Sequence, residues 1–231
     1  MMMIPATHAE IEQLYLKAEL EQIHSICITG CSSGDGVTSI ATALAERFIL
    51  AGHHTLYVDL NLFKPAFHDV HSFEHEAQPG MLIEHNETHQ VLVGVPAPTQ
   101  KAVQLSYKDP ANLCSAVNKW QSHYERIIID TSPLLNLNKG NVPAQSVASA
   151  CDATILVACY GSTTENQILQ AQSLLDARSI HLLGTILNMK DSPSFSEELV
   201  RQLNKFKFLP LRLRKRVENW LYKNEFLNLP Y

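Results

Sequence analysis

A glycine-rich segment at residues 29–38 has residue types suited to phosphate binding but lacks the usual lysine. It reads TGCSSGDGVT, follows an apolar run and precedes an amphipathic segment. In the phosphate-binding pattern G-x-x-x-x-G-K-[ST], Gly36 and Thr38 match, whereas Val37 stands at the lysine position and Cys31 at the first glycine. Backbone N–H groups of such a loop can still point at a phosphate. The cation that would reach the β- and γ-phosphates is missing.

Two aspartates at the ends of apolar runs are the candidate metal ligands and catalytic residues. Asp59 ends one run, and Asp130 closes the run RIIID. Carboxylate oxygens suit Mg²⁺, and Thr38 offers a hydroxyl as a further ligand. Asp59 could equally cap a turn, and Thr38 could be an ordinary residue at a helix N-terminus. We predict that Thr38, Asp59 and Asp130 hold Mg²⁺ if a nucleotide binds, with impaired catalysis by the two aspartates.

The other candidates for nucleotide binding are small or polar. The predicted nucleotide-binding residues are Gly34, Gly36, Thr38, Ser39 and Asn188. Asn188 could instead be a turn residue. Lys64 could replace the missing loop lysine, although an exposed lysine before Pro65 is the simpler interpretation.

Alternating apolar and amphipathic segments predict the elements that position these residues. The predicted strands are Ser25–Thr29, Thr55–Asp59, Gln90–Val95, Arg126–Asp130, Thr154–Cys159 and His181–Asn188, and the predicted helices are Ala9–Glu21, Thr38–Ala51, Ala111–Ser122, Val142–Ala150, Thr164–Ala177 and Ser196–Asn204. This order predicts an α/β fold with a doubly wound, mostly parallel sheet. Ligands bind at the carboxyl ends of such strands, where Gly30, Asp59, Asp130 and Asn188 all fall.

The segment Phe67–His89 is polar, rich in histidine and poorly periodic. We predict a long loop with one helical turn at most. Five histidines fall within it, at positions 68, 71, 75, 85 and 89. Because no helix is predicted to align them, we expect a solvated loop rather than a zinc site.

The segment Ile26–Gly52 resembles the first strand and helix of the bacterial tyrosine autokinases, which are relatives of the MinD/ParA ATPases. The pattern TS-x-x-PGEGK[ST] of that family corresponds here to TGCSSGDGVT. Its D-x-D-x-R-x-P segment corresponds to Asp59–Pro65, where the second aspartate is Asn61. Its D-[ST]-P-P segment corresponds to the residues that begin at Asp130.

The resemblance implies a P-loop NTPase fold, Mg·ATP as cofactor and phosphoryl transfer to tyrosine. It also implies a setting in bacterial capsule or exopolysaccharide synthesis and export, with a membrane chain-length-determining partner, and it makes a homo-oligomer possible. By the same resemblance Asn188 contacts the nucleotide base, and Glu12 lies in the helix at the subunit contact. Only Tyr222 and Tyr231 stand where the family has a C-terminal tyrosine cluster.

We therefore expect a catalytically impaired protein with a regulatory or scaffolding role and weak or absent Mg·ATP binding. Two alternatives stay open. The first is an active but divergent tyrosine autokinase or ATPase, and the second is a positioning protein of the MinD/ParA type.

Composition limits the remaining functions. A net charge of −5 over 231 residues argues against a general nucleic-acid binder. Five cysteines without CxxC spacing are typical of a cytoplasmic protein with reduced thiols. Neither a signal peptide nor a membrane span is predicted, so we expect membrane association only through a partner. The expected organisation is an N-terminal helix at 1–24, a nucleotide-binding domain at 25–204 and a docked basic and aromatic tail at 205–231.

Overall fold

The computed structural model of the chain describes residues 4–70, 80–136, 140–189, 195–205 and 211–223. The chain divides into two compact units, Met1–Asn188 and Met189–Tyr231. The first unit holds the sheet and every candidate site residue. The second unit contains two helices that pack on each other.

Eight strands and eight helices are formed by the described residues. In chain order they are α1 Ala9–Leu20, β1 Ser25–Gly30, α2 Val37–Leu50, β2 Thr55–Leu60, β3 Phe67–Asp69, β4 Met81–His85, β5 Val91–Val95, α3 Lys101–Ser106, α4 Pro110–Gln121, β6 Arg126–Thr131, α5 Ala144–Ala150, β7 Ala153–Cys159, α6 Glu165–Asp176, β8 Leu182–Asn188, α7 Phe195–Lys205 and α8 Leu211–Lys223. Each predicted strand and helix has a counterpart here with nearby ends.

The strands form one sheet in the order β3-β4-β5-β2-β6-β1-β7-β8. Neighbouring strands from β5 to β8 in this order run parallel, whereas β3, β4 and β5 pair antiparallel. Every residue of β1, β2, β6 and β7 is buried, as expected for parallel strands covered on both faces. The predicted α/β fold with a mostly parallel sheet is confirmed.

Two apolar layers cover the sheet. One is built around α1 and α2, with Leu44 and Phe48 fully buried. The other lies under α4, α5 and α6, with Leu113 and Val147 fully buried. The central strands are thereby held rigidly, and so are the polar side chains at their carboxyl ends.

The predicted loop over Phe67–His89 is wrong in part. Residues 67–69 and 81–85 are the strands β3 and β4; β4 pairs antiparallel with β5, and β3 pairs antiparallel with β4. Phe67, Ile83 and His85 are buried by this pairing. The pairing joins residues distant in sequence, and β3 has only three residues, so periodicity gave no signal. The part of the prediction at residues 71–79 lies outside the described residues.

Candidate site: a phosphate loop beside a metal pair

The carboxyl ends of β1, β2 and β6 bring the candidate residues together. β6 lies between β2 and β1, and Asp59 and Asp130 are direct partners in the β2–β6 register. The chain leaves β1 at Gly30 and enters α2 at Val37. We call residues 31–38 the phosphate loop, and we call Thr38 with Asp130 the metal pair.

Asp130 is fully buried, and one of its carboxylate oxygens accepts hydrogen bonds from two hydroxyl groups. Thr38 Oγ1 donates to Asp130 Oδ2 at 2.6 Å, and the Tyr57 hydroxyl donates to the same oxygen at 3.1 Å. The other oxygen, Oδ1, is buried and has no hydrogen-bond partner among the described residues. Burial, and then repulsion from Asp59, raises the pKa of Asp130 to about 8.

Asp59 is also fully buried, but its carboxylate is occupied by backbone amides. Oδ1 accepts from Asn61 N at 2.9 Å, while Oδ2 accepts from Ala66 N at 2.9 Å and from Phe67 N at 3.3 Å. Burial raises the pKa of Asp59 to about 6, and these three hydrogen bonds oppose the rise. Asp59 thus stabilises the connection from β2 to β3 by hydrogen bonds to its backbone amides. This is the turn-capping role given above as the alternative for Asp59.

The metal pair fits Mg²⁺. The unpartnered oxygen of Asp130 and the hydroxyl of Thr38 are hard oxygen donors, which this cation prefers. Asp59 Oδ1 accepts one hydrogen bond, so a second lone pair of this oxygen could reach the ion directly or through water. Within the part of the chain that the structure describes, no group of three or more His, Cys, Asp or Glu side chains could hold a metal ion.

The Asp35 side chain lies inside the phosphate loop. This carboxylate is 2% exposed. Its Oδ2 accepts from the backbone N–H of Ser32 at 2.8 Å, and its Oδ1 accepts from Thr163 Oγ1 at 3.1 Å. One backbone donor of the loop therefore already binds an anionic group of the chain itself.

Val37 is buried as the first residue of α2 and belongs to the core under that helix. A Cβ placed on Gly30 would lie 3.0 Å from Val37 Cγ2 and 3.2 Å from Asp35 Cβ and Oδ2. Both side chains therefore pack closely over the end of β1. Neither side chain supplies a positive charge to the loop.

The remaining predicted residues surround this loop. Asn188 Nδ2 donates to the carbonyl oxygen of Asp35 at 2.8 Å. Gly36 has a φ of 98°, and a Cβ there would lie 2.1 Å from Asn188 Nδ2, so only glycine fits. Ser39 lies in the first turn of α2 and is half-buried, while Lys64 is exposed.

Three residues of this site were not singled out by the sequence: Asp35, Tyr57 and Thr163. A signal for Asp35 was present, because the family pattern TS-x-x-PGEGK[ST] has a glutamate at the matching position. Nothing in the sequence indicated that the Tyr57 hydroxyl would reach Asp130 or that the Thr163 hydroxyl would reach Asp35.

Proteins with similar sequences are tyrosine-protein kinases. A tyrosine-protein kinase of Bacillus subtilis strain 168, YwqD, is 29% identical over 192 residues, which cover 76% of each chain. The putative tyrosine-protein kinase CapB of Staphylococcus aureus is 24% identical over 187 residues, covering 76% of this chain and 78% of CapB. The homologues of this chain are bacterial tyrosine-protein kinases. No protein-family model matches the chain.

Solved structures agree on the fold. The kinase domain of VpsO superposes with a TM-score of 0.59 at 23% identity, covering 79% of this chain and 93% of that domain. The septum site-determining protein MinD of Pyrococcus horikoshii, solved with Mg-ADP, gives a TM-score of 0.55 at 18% identity over 74% of this chain and 72% of MinD. The fold is that of the MinD and ParA P-loop NTPases. Among the described helices, none has the length and apolar character needed to cross a membrane.

Proposed function

We propose that this chain is a catalytically impaired relative of the bacterial tyrosine kinases, with a regulatory or scaffolding role in capsule or exopolysaccharide synthesis and export. The observation that carries the proposal is the state of the phosphate loop. Val37 is buried at the lysine position, and the Asp35 carboxylate lies inside the loop. Phosphoryl transfer depends on positive charge at this place.

The missing lysine alone is a large deficit. A charge-assisted contact to phosphate is worth about 1.5–3 kcal/mol. An electrostatic contact that stabilises the transition state is often worth ~3–4 kcal/mol. Val37 can supply neither contact, so phosphate binding and transfer are both opposed.

The metal pair would hold Mg²⁺ if a nucleotide did bind, and the ion would then neutralise phosphate charge. Thr38 and Asp130 would supply the oxygen ligands. We propose Asp59 and Asp130 as the positions of the ancestral catalytic carboxylates. Asn61 at the second position is a poor acceptor for a substrate hydroxyl proton.

Purified protein tests the proposal through ATP hydrolysis and tyrosine autophosphorylation with Mg²⁺ present. We expect neither above the background without protein, whereas YwqD under the same conditions serves as the positive control. Turnover that disappears in Asp130→Ala would contradict the proposal. That result would support the second candidate, an active divergent kinase or ATPase, which the retained contact between Thr38 and Asp130 favours.

The family-type subunit contact is weakened by a contact inside the chain. Glu12 of α1 accepts two hydrogen bonds from Arg47 of α2, at 2.5 and 2.9 Å. The Arg47 guanidinium also lies over the Tyr15 ring, 3.8 Å from its centroid. The glutamate that the resemblance places between subunits is therefore bound within its own subunit.

We propose a membrane chain-length-determining protein as the partner and the second unit as a contributor to binding. Its helix α8 carries four basic residues, Arg212, Arg214, Lys215 and Arg216, together with Trp220 and Tyr222. We expect truncation before Leu209 to lower thermal stability or abolish partner binding. Sedimentation with anionic liposomes that this truncation abolishes, at an unchanged melting temperature, would favour direct lipid contact instead.

A further inference from the structure

We infer that Tyr57 is a positioning residue of the metal pair. Its buried hydroxyl binds one oxygen of Asp130, so that the other oxygen is left for a divalent cation. The inference deepens the proposed function, on which it rests, because it adds to the metal pair a residue that no motif of the sequence assigns. We call the hydroxyls of Thr38 and Tyr57 together with Asp130 Oδ2 the carboxylate clamp.

Tyr57 lies on β2, and its side chain reaches across to Asp130 on the neighbouring strand β6. The hydroxyl donates to Asp130 Oδ2 at 3.1 Å. Tyr57 is 1% exposed, and its ring packs against Phe67 with the ring centroids 4.6 Å apart. A buried phenol needs a hydrogen-bond partner for its hydroxyl, which a phenylalanine in the same place would not. What the hydroxyl adds to this strand is therefore the contact with Asp130.

The two donors of the carboxylate clamp meet on the same oxygen from different elements. Thr38 of α2 donates to Asp130 Oδ2 at 2.6 Å, and Tyr57 of β2 donates to it at 3.1 Å. Each carboxylate oxygen offers about two lone-pair sites, so both sites of Oδ2 are used. Oδ1 is buried and has no hydrogen-bond partner among the described residues. Oδ1 is thus the oxygen of Asp130 that is left for the cation or for one of its waters.

The Tyr57 hydroxyl also ties the orientation of Asp130 to the sheet. With one hydroxyl partner, a carboxylate can turn about its last torsion angle and exchange its two oxygens, because that torsion is broad and two-fold. Every residue of β2 is buried, whereas Thr38 lies at the end of the phosphate loop. Hydrogen bonds that orient a metal-binding side chain are typically worth about 10–100-fold in metal affinity.

The test is the affinity for Mn²⁺, which has the ligand preference of Mg²⁺ and whose free form is measured by electron paramagnetic resonance. The quantity compared, on the full chain, is the binding that Asp130→Asn abolishes. We expect Tyr57→Phe to bind Mn²⁺ about tenfold more weakly than the wild type. The matched control is Tyr124→Phe, which removes the hydroxyl of another buried tyrosine, before the start of β6 at the opposite end of the sheet. It should bind Mn²⁺ as the wild type does.

A second measurement separates positioning from a general structural role. The phenylalanine variant keeps the ring that packs against Phe67, so a structural role would appear in the melting temperature without Mn²⁺. Positioning predicts instead a changed low-temperature resonance spectrum of the bound Mn²⁺ in Tyr57→Phe and an unchanged spectrum in Tyr124→Phe.

A Mn²⁺ affinity of Tyr57→Phe within twofold of the wild type overturns the inference, and so does the absence of Asp130-dependent Mn²⁺ binding in the wild type. An equal loss in Tyr124→Phe overturns it as well. Tyr57→Leu, which also lacks the hydroxyl, decides by the same criterion if the phenylalanine variant does not fold. Failure of the carboxylate clamp therefore shows in these affinities, whereas failure of the proposed function shows as ATP turnover by the wild type.

Discussion

The metal pair offers two oxygen ligands, whereas the phosphate loop beside it contains a carboxylate and an aliphatic side chain. Both regions lie at the carboxyl end of the same sheet and share Thr38. In the metal pair, Thr38 and Asp130 are 2.6 Å apart, and one oxygen of Asp130 is unpartnered among the described residues. In the phosphate loop, Asp35 binds the Ser32 amide and Val37 belongs to the core. The two regions thus share one backbone setting and differ in the side chains that they present.

The two regions also differ in how well their charges suit a bound ion. Asp59 and Asp130 form a buried pair with raised pKa values, so a cation would be well placed between sheet and loop. The phosphate loop offers no cation and adds Asp35. We therefore expect a divalent ion to be better accommodated here than the phosphates it normally accompanies.

The largest effect is expected when the phosphate loop regains a cation at the lysine position. Val37→Lys should bind Mg·ADP about a hundredfold more tightly than the wild type, about 2.7 kcal/mol, since a charge-assisted contact to phosphate is added. Calorimetry measures the gain. A variant no tighter than the wild type would show that Val37 is not the missing part.

A second prediction concerns the metal pair and pH. The pKa of Asp130 is raised from 3.8 to about 8 in the folded chain. Its contribution to stability is therefore fully present below pH 3.8 and is lost as the pH rises through about 8. Asp130→Asn, which resembles the protonated acid, should raise the free energy of unfolding at pH 8 by about 2 kcal/mol and by much less at pH 5.

Urea unfolding at the two pH values, without Mg²⁺, measures this difference. Equal effects at pH 5 and pH 8 would mean that Asp130 carries the same charge at both. Asp176→Asn, a change at an exposed carboxylate, provides the control and should leave stability unchanged at either pH.

The smallest effect is expected from the hydroxyl shared by the two regions. Thr38→Val removes the donor to Asp130 Oδ2 and should cost about 1 kcal/mol of stability. Thr38→Ser keeps the donor and should cost less. Thermal unfolding of the two variants measures the difference. A serine variant as unstable as the valine variant would assign the loss to packing instead of the hydrogen bond.

The metal pair was predictable from the sequence, and the arrangement of the phosphate loop was not. Asp130 ends an apolar run and Thr38 begins an amphipathic helix, so a parallel sheet must bring them together. The inward position of Asp35 depends on positive φ values at Gly34 and Gly36, on Thr163 and on the space at Gly30. The hydrogen bond with Thr163 joins residues 128 positions apart, and no local pattern encodes it.

In the sheet too, some strands could be predicted from the sequence and others could not. Strands with continuous buried runs were placed within a residue or two, because their burial leaves a strong apolar signal. The strands β3 and β4 were missed, since β4 exposes two of its five residues and includes Glu84 and His85. The pairing of β4 with β5 and of β3 with β4 is accompanied by packing of Phe67 and Ile83 in the core, which is tertiary information.

ATP affinity of the wild-type chain, measured by calorimetry with and without Mg²⁺ at neutral pH, tests the contrast between the two regions most directly. The contrast predicts a Kd no tighter than about 1 mM in both conditions, about −4.1 kcal/mol, because the phosphate loop limits binding whether or not the metal pair is filled. A Kd of about 1 μM with Mg²⁺ would contradict it and show that the loop binds phosphate despite Val37.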